Sequence, residues 1–261
     1  MVKIYIDPGH GGMDPGAVAN GLREKDLTLK ISLKIRNLLN QYKGGVSVRL
    51  SRTTDKTLSL RQRTNDANKW CADYLLSVHI NAGSGTGYED FIYSELSSNS
   101  DTAKKRDFMH EEINKQINMP NRGKKKANFH MVRESNMPAI LTENGFIDAA
   151  NDAARLKTDA FLNDIAQGHV DGLVRIFNLR KKESTPMSTS STSDSVLIET
   201  GGLSVDMASE VLGYCISKNW SCTIHYDGDN NPRATVGKLN TKWRREFENW
   251  LKDQGWYYKL I

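Results

Sequence analysis

The 261-residue chain carries 36 Lys and Arg against 31 Asp and Glu, a formal charge of +5, with 38% hydrophobic and 26% charged residues. That is enough apolar material for a sizeable core and enough length for two domains. No run approaches the roughly 18 apolar residues of a membrane span, and the basic clusters Lys124-Lys125-Lys126 and Arg180-Lys181-Lys182 stand isolated with no nucleic-acid motif beside them.

The first predicted element is a strand over Val2 to Ile6, alternating and β-rich, which runs into Asp7-Pro8-Gly9-His10-Gly11-Gly12. Proline and glycines stop the strand there and let backbone pass close to a bound group. Because the apolar run is at once the first strand, the N-terminus has neither the apolar core nor the cleavage site of a secretory leader, which predicts a protein without a signal peptide. Leu27, Ile31, Ile35 and Leu38 then recur at helical spacing, placing Glu24 in or beside a first helical turn. A carboxylate there has two readings, a metal ligand or a favourable charge at a helix N-terminus worth about 0.3–1 kcal/mol.

Leu75-Leu76-Ser77-Val78-His79 repeats the strand arrangement, and Ala139-Ile140-Leu141-Thr142-Glu143 ends a third apolar run in a carboxylate. Two histidines and one carboxylate form a common catalytic zinc set, with the fourth position left to water. His10, Glu24 and His79 are therefore the metal candidates. Glu143, at the end of an apolar run, carries a large desolvation penalty unless it is paired, metal-bound or protonated, which marks it as the catalytic candidate.

The remaining histidines have plainer readings. His110, in the charged helical stretch Lys104 to Lys115, reads as a solvated side chain. His130, within the expected strand Asn128 to Val132, is a candidate for lining a groove. His169 lies on the face formed by Leu162, Ile165, Leu173 and Ile176 and reads as a satisfied helix position. Cys71, Cys215 and Cys222 are odd in number and widely spaced, with no paired metal pattern, which fits a reducing compartment.

The chain changes character at the Ser/Thr-rich stretch from Glu183 to Ser193, which has nothing to bury and reads as a linker. The tail beyond it contains a repeat. A shift of 36 positions (237 minus 201) superposes Gly201 on Gly237, Leu203 on Leu239, Val211 on Phe247, Tyr214 on Trp250 and Trp220 on Trp256. Each copy reads strand, helix, strand, which predicts a β-α-β-β-α-β order with two helices on a small sheet.

Taken together, Ile6-Asp7-Pro8-Gly9-His10-Gly11-Gly12, Asp14-Pro15-Gly16-Ala17, Gly21 to Asp26, Ser51-Arg52-Thr53-Thr54-Asp55, Ser77 to Asn81, Asn121-Arg122-Gly123-Lys124 and Pro138 to Ile147 fall in the order of a known family. The chain resembles the zinc-dependent N-acetylmuramoyl-L-alanine amidases of the amidase-3 type over residues 1–178. The resemblance implies zinc held by His10, Glu24 and His79, a catalytic carboxylate at Glu143, and a substrate in peptidoglycan, the amide joining N-acetylmuramic acid to L-alanine. Asn144 and Ile147 depart from the family's commoner residues after that glutamate, a variation expected to leave the chemistry intact. The tail, through Glu199 to Ser204 and Gly255 to Lys259, resembles the C-terminal wall-binding domain of Bacillus phage endolysins, which implies a secondary cell-wall polysaccharide as partner.

The expected organisation is thus an α/β catalytic domain at 1–178 with a twisted mixed sheet flanked by helices, a linker at 179–194, and a small α+β domain with a duplicated β-α-β unit at 195–261. Trp220, Trp250 and Trp256 are expected to fill the core of that small domain, leaving Trp243, Tyr257 or the Asp227 to Asn231 loop for a ligand. The resemblance and the absent leader suggest a phage endolysin that starts in the host cytoplasm. The alternatives are a sporulation mother-cell autolysin of the same chemistry, a wall-binding protein with a dead hydrolase domain, and a zinc peptidase cutting within the stem.

Overall fold

The computed structural model describes residues 1–42, 45–181, 196–200, 203, 205–218, 220–225 and 232–260. The chain divides into two compact units, residues 1–183 and 184–261. The predicted linker falls almost wholly outside the described residues, as does the Asp227 to Asn231 loop.

In the first unit, β1 (Val2–Pro8) leads through a short hairpin, β2 (Val18–Ala19) and β3 (Leu22–Arg23), into helix α1 (Glu24–Leu39). There follow β4 (Val46–Leu50), α2 (Leu60–Lys69), β5 (Tyr74–Asn81), β6 (Tyr88–Tyr93), α3 (Asp101–Ile117), β7 (Asn121–Ala127), α4 (His130–Arg133), β8 (Ala139–Phe146), α5 (Ala150–Leu156) and α6 (Asp159–Phe177). Six strands form one sheet in the order β4-β1-β5-β8-β6-β7. The pairings β4/β1, β1/β5, β5/β8 and β6/β7 are parallel and β8/β6 is antiparallel, so the sheet is mixed, as expected.

The apolar runs seen in the sequence are continuous because the central strands are covered on both faces. Ile4, Ile6, Leu76, Val78, Ile80 and Ile140 point to one side, where they meet Leu27, Ile31, Ile35, Ile113, Ile165 and Leu173 of α1, α3 and α6. Tyr5, Leu75, Ala139 and Leu141 alternate to the other side and pack with Ala67 of α2 and Met131 and Val132 of α4. Sequence signals fix several helix starts: Ser59 and Gln62 form a capping box on α2, and the Ser100 and Thr158 hydroxyls accept from the first turns of α3 and α6.

This topology also chooses the place of the site. From β1 the chain moves to β4 on one side, and β5 then pairs with β1 on the other. The connections therefore diverge between β1 and β5, opening a crevice at their carboxyl ends, where open α/β sheets bind ligands.

The second unit contains β9 (Val196–Thr200), α7 (Val205–Lys218), β10 (Ser221–His225), β11 (Arg233–Leu239), α8 (Thr241–Asp253) and β12 (Tyr258–Leu260). Its sheet has the order β10-β11-β9-β12, antiparallel throughout. The β-α-β-β-α-β order read from the repeat is therefore present. Ile198, Val211, Val236, Phe247 and Leu251 are fully buried and Trp220 belongs to the same cluster, while Trp250 and Trp256 are partly buried and pack against it. Tyr214 and Trp250, equivalent in the repeat, stack on each other with centroids 4.2 Å apart and planes 13° from parallel.

Candidate metal centre

His10 follows the end of β1 at a backbone φ of 60°, and two glycines with positive φ come after it. This turn is held from below by cations. Arg63 donates to Asp7 Oδ1 at 2.8 Å, to the Pro8 carbonyl at 2.7 Å and to the His10 carbonyl at 2.6 Å. Arg52 donates to the carbonyls of Gly9 and Lys25, both at 2.8 Å, and Lys25 reaches back to the Gly12 carbonyl, also at 2.8 Å. Asp7 is fully buried. Burial works against its charge, but the Arg63 guanidinium and the Ser51 hydroxyl outweigh it and keep the carboxyl below the usual range.

Glu24 opens α1 and points into the crevice between β1 and β5. Its Oε2 lies 3.2 Å from His10 Nε2 and its Oε1 lies 2.9 Å from His79 Nδ1. The backbone amides of Ala17 and Ile80 donate to the same carboxylate at 2.9 and 3.0 Å. All three residues can present a ligand atom within 4.8 Å of the other two. Two glycines make the approach possible. A Cβ on Gly9 would fall 2.3 Å from the His79 ring, and one on Gly16 would fall 2.6 Å from Glu24 Oε2 and 2.7 Å from the His10 ring. On its far side His10 Nδ1 lies 2.8 Å from Asp14 Oδ2, which orients the ring with Nε2 toward Glu24.

The electrostatics suit a cation. Glu24 is only 4% exposed, yet among the described residues it meets two imidazoles and two amides and no Lys or Arg. Burial raises its pKa, and the bonds to His10 and His79 more than reverse this. Burial likewise lowers the His10 pKa, and Glu24 and Asp14 pull it above its ordinary value. Two imidazole nitrogens and one anionic oxygen are the donor set of an open zinc site, so these residues fit the ion.

Glu143 lies mid-strand in β8, beside His79 in the β5 register and opposite Glu89 in the β6 register. Three neighbouring strands thus set His79, Glu143 and Glu89 in one row. Glu143 Oε2 is buried with no hydrogen-bond partner among the described residues. Its pKa is pushed well above the carboxylate range, first by burial and then by the charges of Glu24 and Glu89. The four candidates from the sequence therefore converge, and a cleft of about 310 Å³ opens beside His10, His79 and Asp14.

Two histidine expectations are corrected. His110 is buried, not solvated: it sits on the inner face of α3, with Nδ1 2.7 Å from Asp90 and Nε2 3.0 Å from Asn121. His130 starts helix α4 instead of lying in a strand, and its Nε2 is 3.2 Å from the Thr64 hydroxyl. His169 is the satisfied helix position expected, with Nδ1 donating to the Ile165 carbonyl at 2.8 Å and Nε2 accepting from Thr142 at 3.0 Å. Sequence reasoning missed Glu89. It stands next to Asp90 in Tyr88-Glu89-Asp90-Phe91, where adjacent carboxylates on both faces of the strand leave no alternation to read.

Residues 4–175 match the family described as N-acetylmuramoyl-L-alanine amidase. The chain is 61% identical over 182 residues to the N-acetylmuramoyl-L-alanine amidase CwlM of Bacillus licheniformis, covering 69% of this chain and 71% of that protein. It is 52% identical over 185 residues to the sporulation-specific N-acetylmuramoyl-L-alanine amidase of Bacillus subtilis, covering 71% and 72%. Identity to the endolysin of Bacillus phage SPP1 is 44% over 184 residues, covering 69% and 67%. Among solved structures, the catalytic domain of the amidase CwlV from Bacillus (Paenibacillus) polymyxa var. colistinus superposes with a TM-score of 0.65 at 31% identity, covering 69% of this chain and 100% of that one.

Proposed function

Because the chain belongs to the N-acetylmuramoyl-L-alanine amidase family, a family of peptidoglycan amidases, we propose that it hydrolyses the amide between N-acetylmuramic acid and L-alanine with zinc held by His10, Glu24 and His79. Bound there, zinc supplies Lewis acidity toward a carbonyl oxygen or a water. Glu143 accepts the proton of the attacking water at its unpartnered Oε2 and returns it to the departing alanine nitrogen. A carboxyl whose proton affinity is raised serves both steps, since it must hold the proton between them. The single observation that carries this reading is the buried, unpaired Glu143 oxygen in the same row of the sheet as His79.

The tail is proposed to hold the enzyme on a secondary cell-wall polysaccharide, with Trp243 and Tyr257 as contact candidates because they stay 36% and 71% exposed. No helix among the described residues is long and apolar enough to cross a membrane. The proposed role is that of a phage or prophage endolysin, which the tail's resemblance supports. The higher identity to the sporulation-specific amidase, 52% against 44%, favours a mother-cell autolysin as the second reading.

The decisive experiment digests purified Bacillus peptidoglycan with zinc-loaded and chelator-stripped protein and labels the new N-termini. Zinc-dependent alanine N-termini are expected. Products that keep alanine on the muramic acid would turn the assignment to a stem peptidase, and no cleavage would leave a wall-binding protein.

A further inference from the structure

The row of side chains that carries Glu143 ends at two cations to which hydrolysis gives no task. Glu89 and Glu143 are direct partners in the antiparallel β6/β8 pairing, so both stand on one face of the sheet. Glu89 Oε2 accepts from Arg122 Nε at 2.7 Å and from Lys125 Nζ at 2.5 Å, while its Oε1 accepts from Asn81 at 2.9 Å. One carboxylate thus meets two cations, which leaves a positive charge over.

The other cations of this basic run face elsewhere. Lys124 pairs with Asp107 at 2.9 Å, and Lys126 donates to the Leu96 carbonyl. Arg122 and Lys125 remain 35% and 38% exposed on their outer sides. Both are also held in place. The Arg122 guanidinium lies 4.8 Å from the centre of the Phe146 ring and the Lys125 ammonium 5.8 Å from that of Phe91. Arg122 Nη2 has no protein acceptor among the described residues.

We propose that Arg122 and Lys125 bind the α-carboxylate of the second residue of the peptide stem, so that the enzyme selects stems in which this group is free over stems in which it is amidated. This rests on the amidase reading of the same site. In the stem, L-alanine is followed by a γ-linked D-glutamate whose α-carboxyl projects from the chain. Extended residues span about 3.3–3.6 Å each, so the carboxyl lies about 7 Å from the bond that breaks. Strands are about 4.8 Å apart, which sets the cations around Glu89 about 5–10 Å from Glu143. The two spans agree. A guanidinium edge matches a carboxylate in charge and geometry, whereas a carboxamide offers no charge to it.

The test measures kcat/KM of the full zinc-loaded chain on N-acetylmuramoyl-L-Ala-γ-D-Glu-L-Lys and on its α-carboxamide. A preference of about tenfold or more for the carboxylate is expected at low salt, shrinking as ionic strength rises. Arg122→Gln should bring the ratio within about threefold, and Arg122→Lys, which keeps the charge but not the paired N–H edge, should restore only part of it. A merely structural role would lower both rates and leave their ratio alone, which would overturn the proposal. Equal rates in the unaltered chain would also overturn it while the amidase reading stood. Hydrolysis of neither substrate would remove the amidase reading and this one with it. Should Arg122→Gln fail to fold, the unaltered chain's ratio and its salt dependence still decide.

Discussion

The side-chain amide of Asn144 donates to the backbone carbonyl of His79 at 3.0 Å, tying the strand of the proposed acid-base to the strand of a proposed ligand. The same amide reaches Thr142 Oγ1 at 3.1 Å, and Thr142 in turn bonds His169. This polar chain runs along the face of β8 opposite to Glu143, since successive residues of a strand alternate.

Replacing Asn144 with Leu removes these bonds but also its Oδ1, which is buried and has no partner among the described residues. The expected cost is about 1–2 kcal/mol of stability with less than a tenfold loss of rate. Urea midpoints and digestion rates measured side by side check both halves.

Glu143→Ala should keep close to one zinc per chain while hydrolysis falls by about 10²-fold or more. Metal content by mass spectrometry and counting of new alanine N-termini separate the two effects. An active variant would end the role given to Glu143.

Glu89→Gln should move the acid limb of the pH profile of kcat/KM to lower pH. The Glu89 charge is one of the causes, after burial and Glu24, that raise the Glu143 pKa. Without it Glu143 loses its proton more readily, so its basic form persists further into acid. An unmoved limb would show that Glu89 does not act on Glu143.

His169 sets a pH limit on the fold. Burial lowers its pKa from 6.5 to about 4, against a weaker opposing effect of the Ile165 carbonyl. Between those values the unfolded chain binds a proton that the folded chain does not, so stability is full above pH 6.5 and is lost as pH falls toward 4. The loss should approach about 3 kcal/mol. Urea unfolding at pH 7 and 4.5 measures it, and His169→Gln should flatten the difference.

Ending the chain at Leu179 should leave a folded zinc enzyme with lower activity on intact walls. Cosedimentation with walls is the check, and undiminished binding would take the tail out of targeting.

The four candidate residues could be singled out in the sequence because each lies beside a local signal: the Pro-Gly turn at His10, the helix start at Glu24, and the apolar runs to His79 and Glu143. Glu89 gained its place only through pairing with β8, which no local pattern encodes. His110 was misread because Lys104, Lys105, Glu111 and Glu112 dominate its stretch, although Ala103, Arg106, Met109, His110, Ile113 and Ile117 make the buried face of α3. Phe129-His130-Met131-Val132 is apolar and too short for its period to tell strand from helix.

The stack of Tyr214 on Trp250 joins the two copies of the tail's repeat through their equivalent positions. The tail is thus built like a homodimer whose two subunits share one chain, and neither copy has a complete interior alone. Positions of one copy answer to positions 36 residues (237 minus 201) away in the other. Trp243 answers to Met207 and the exposed Tyr257 to Ser221. At these two places the copies differ, so the exposed aromatics proposed as ligand contacts belong to the second copy alone.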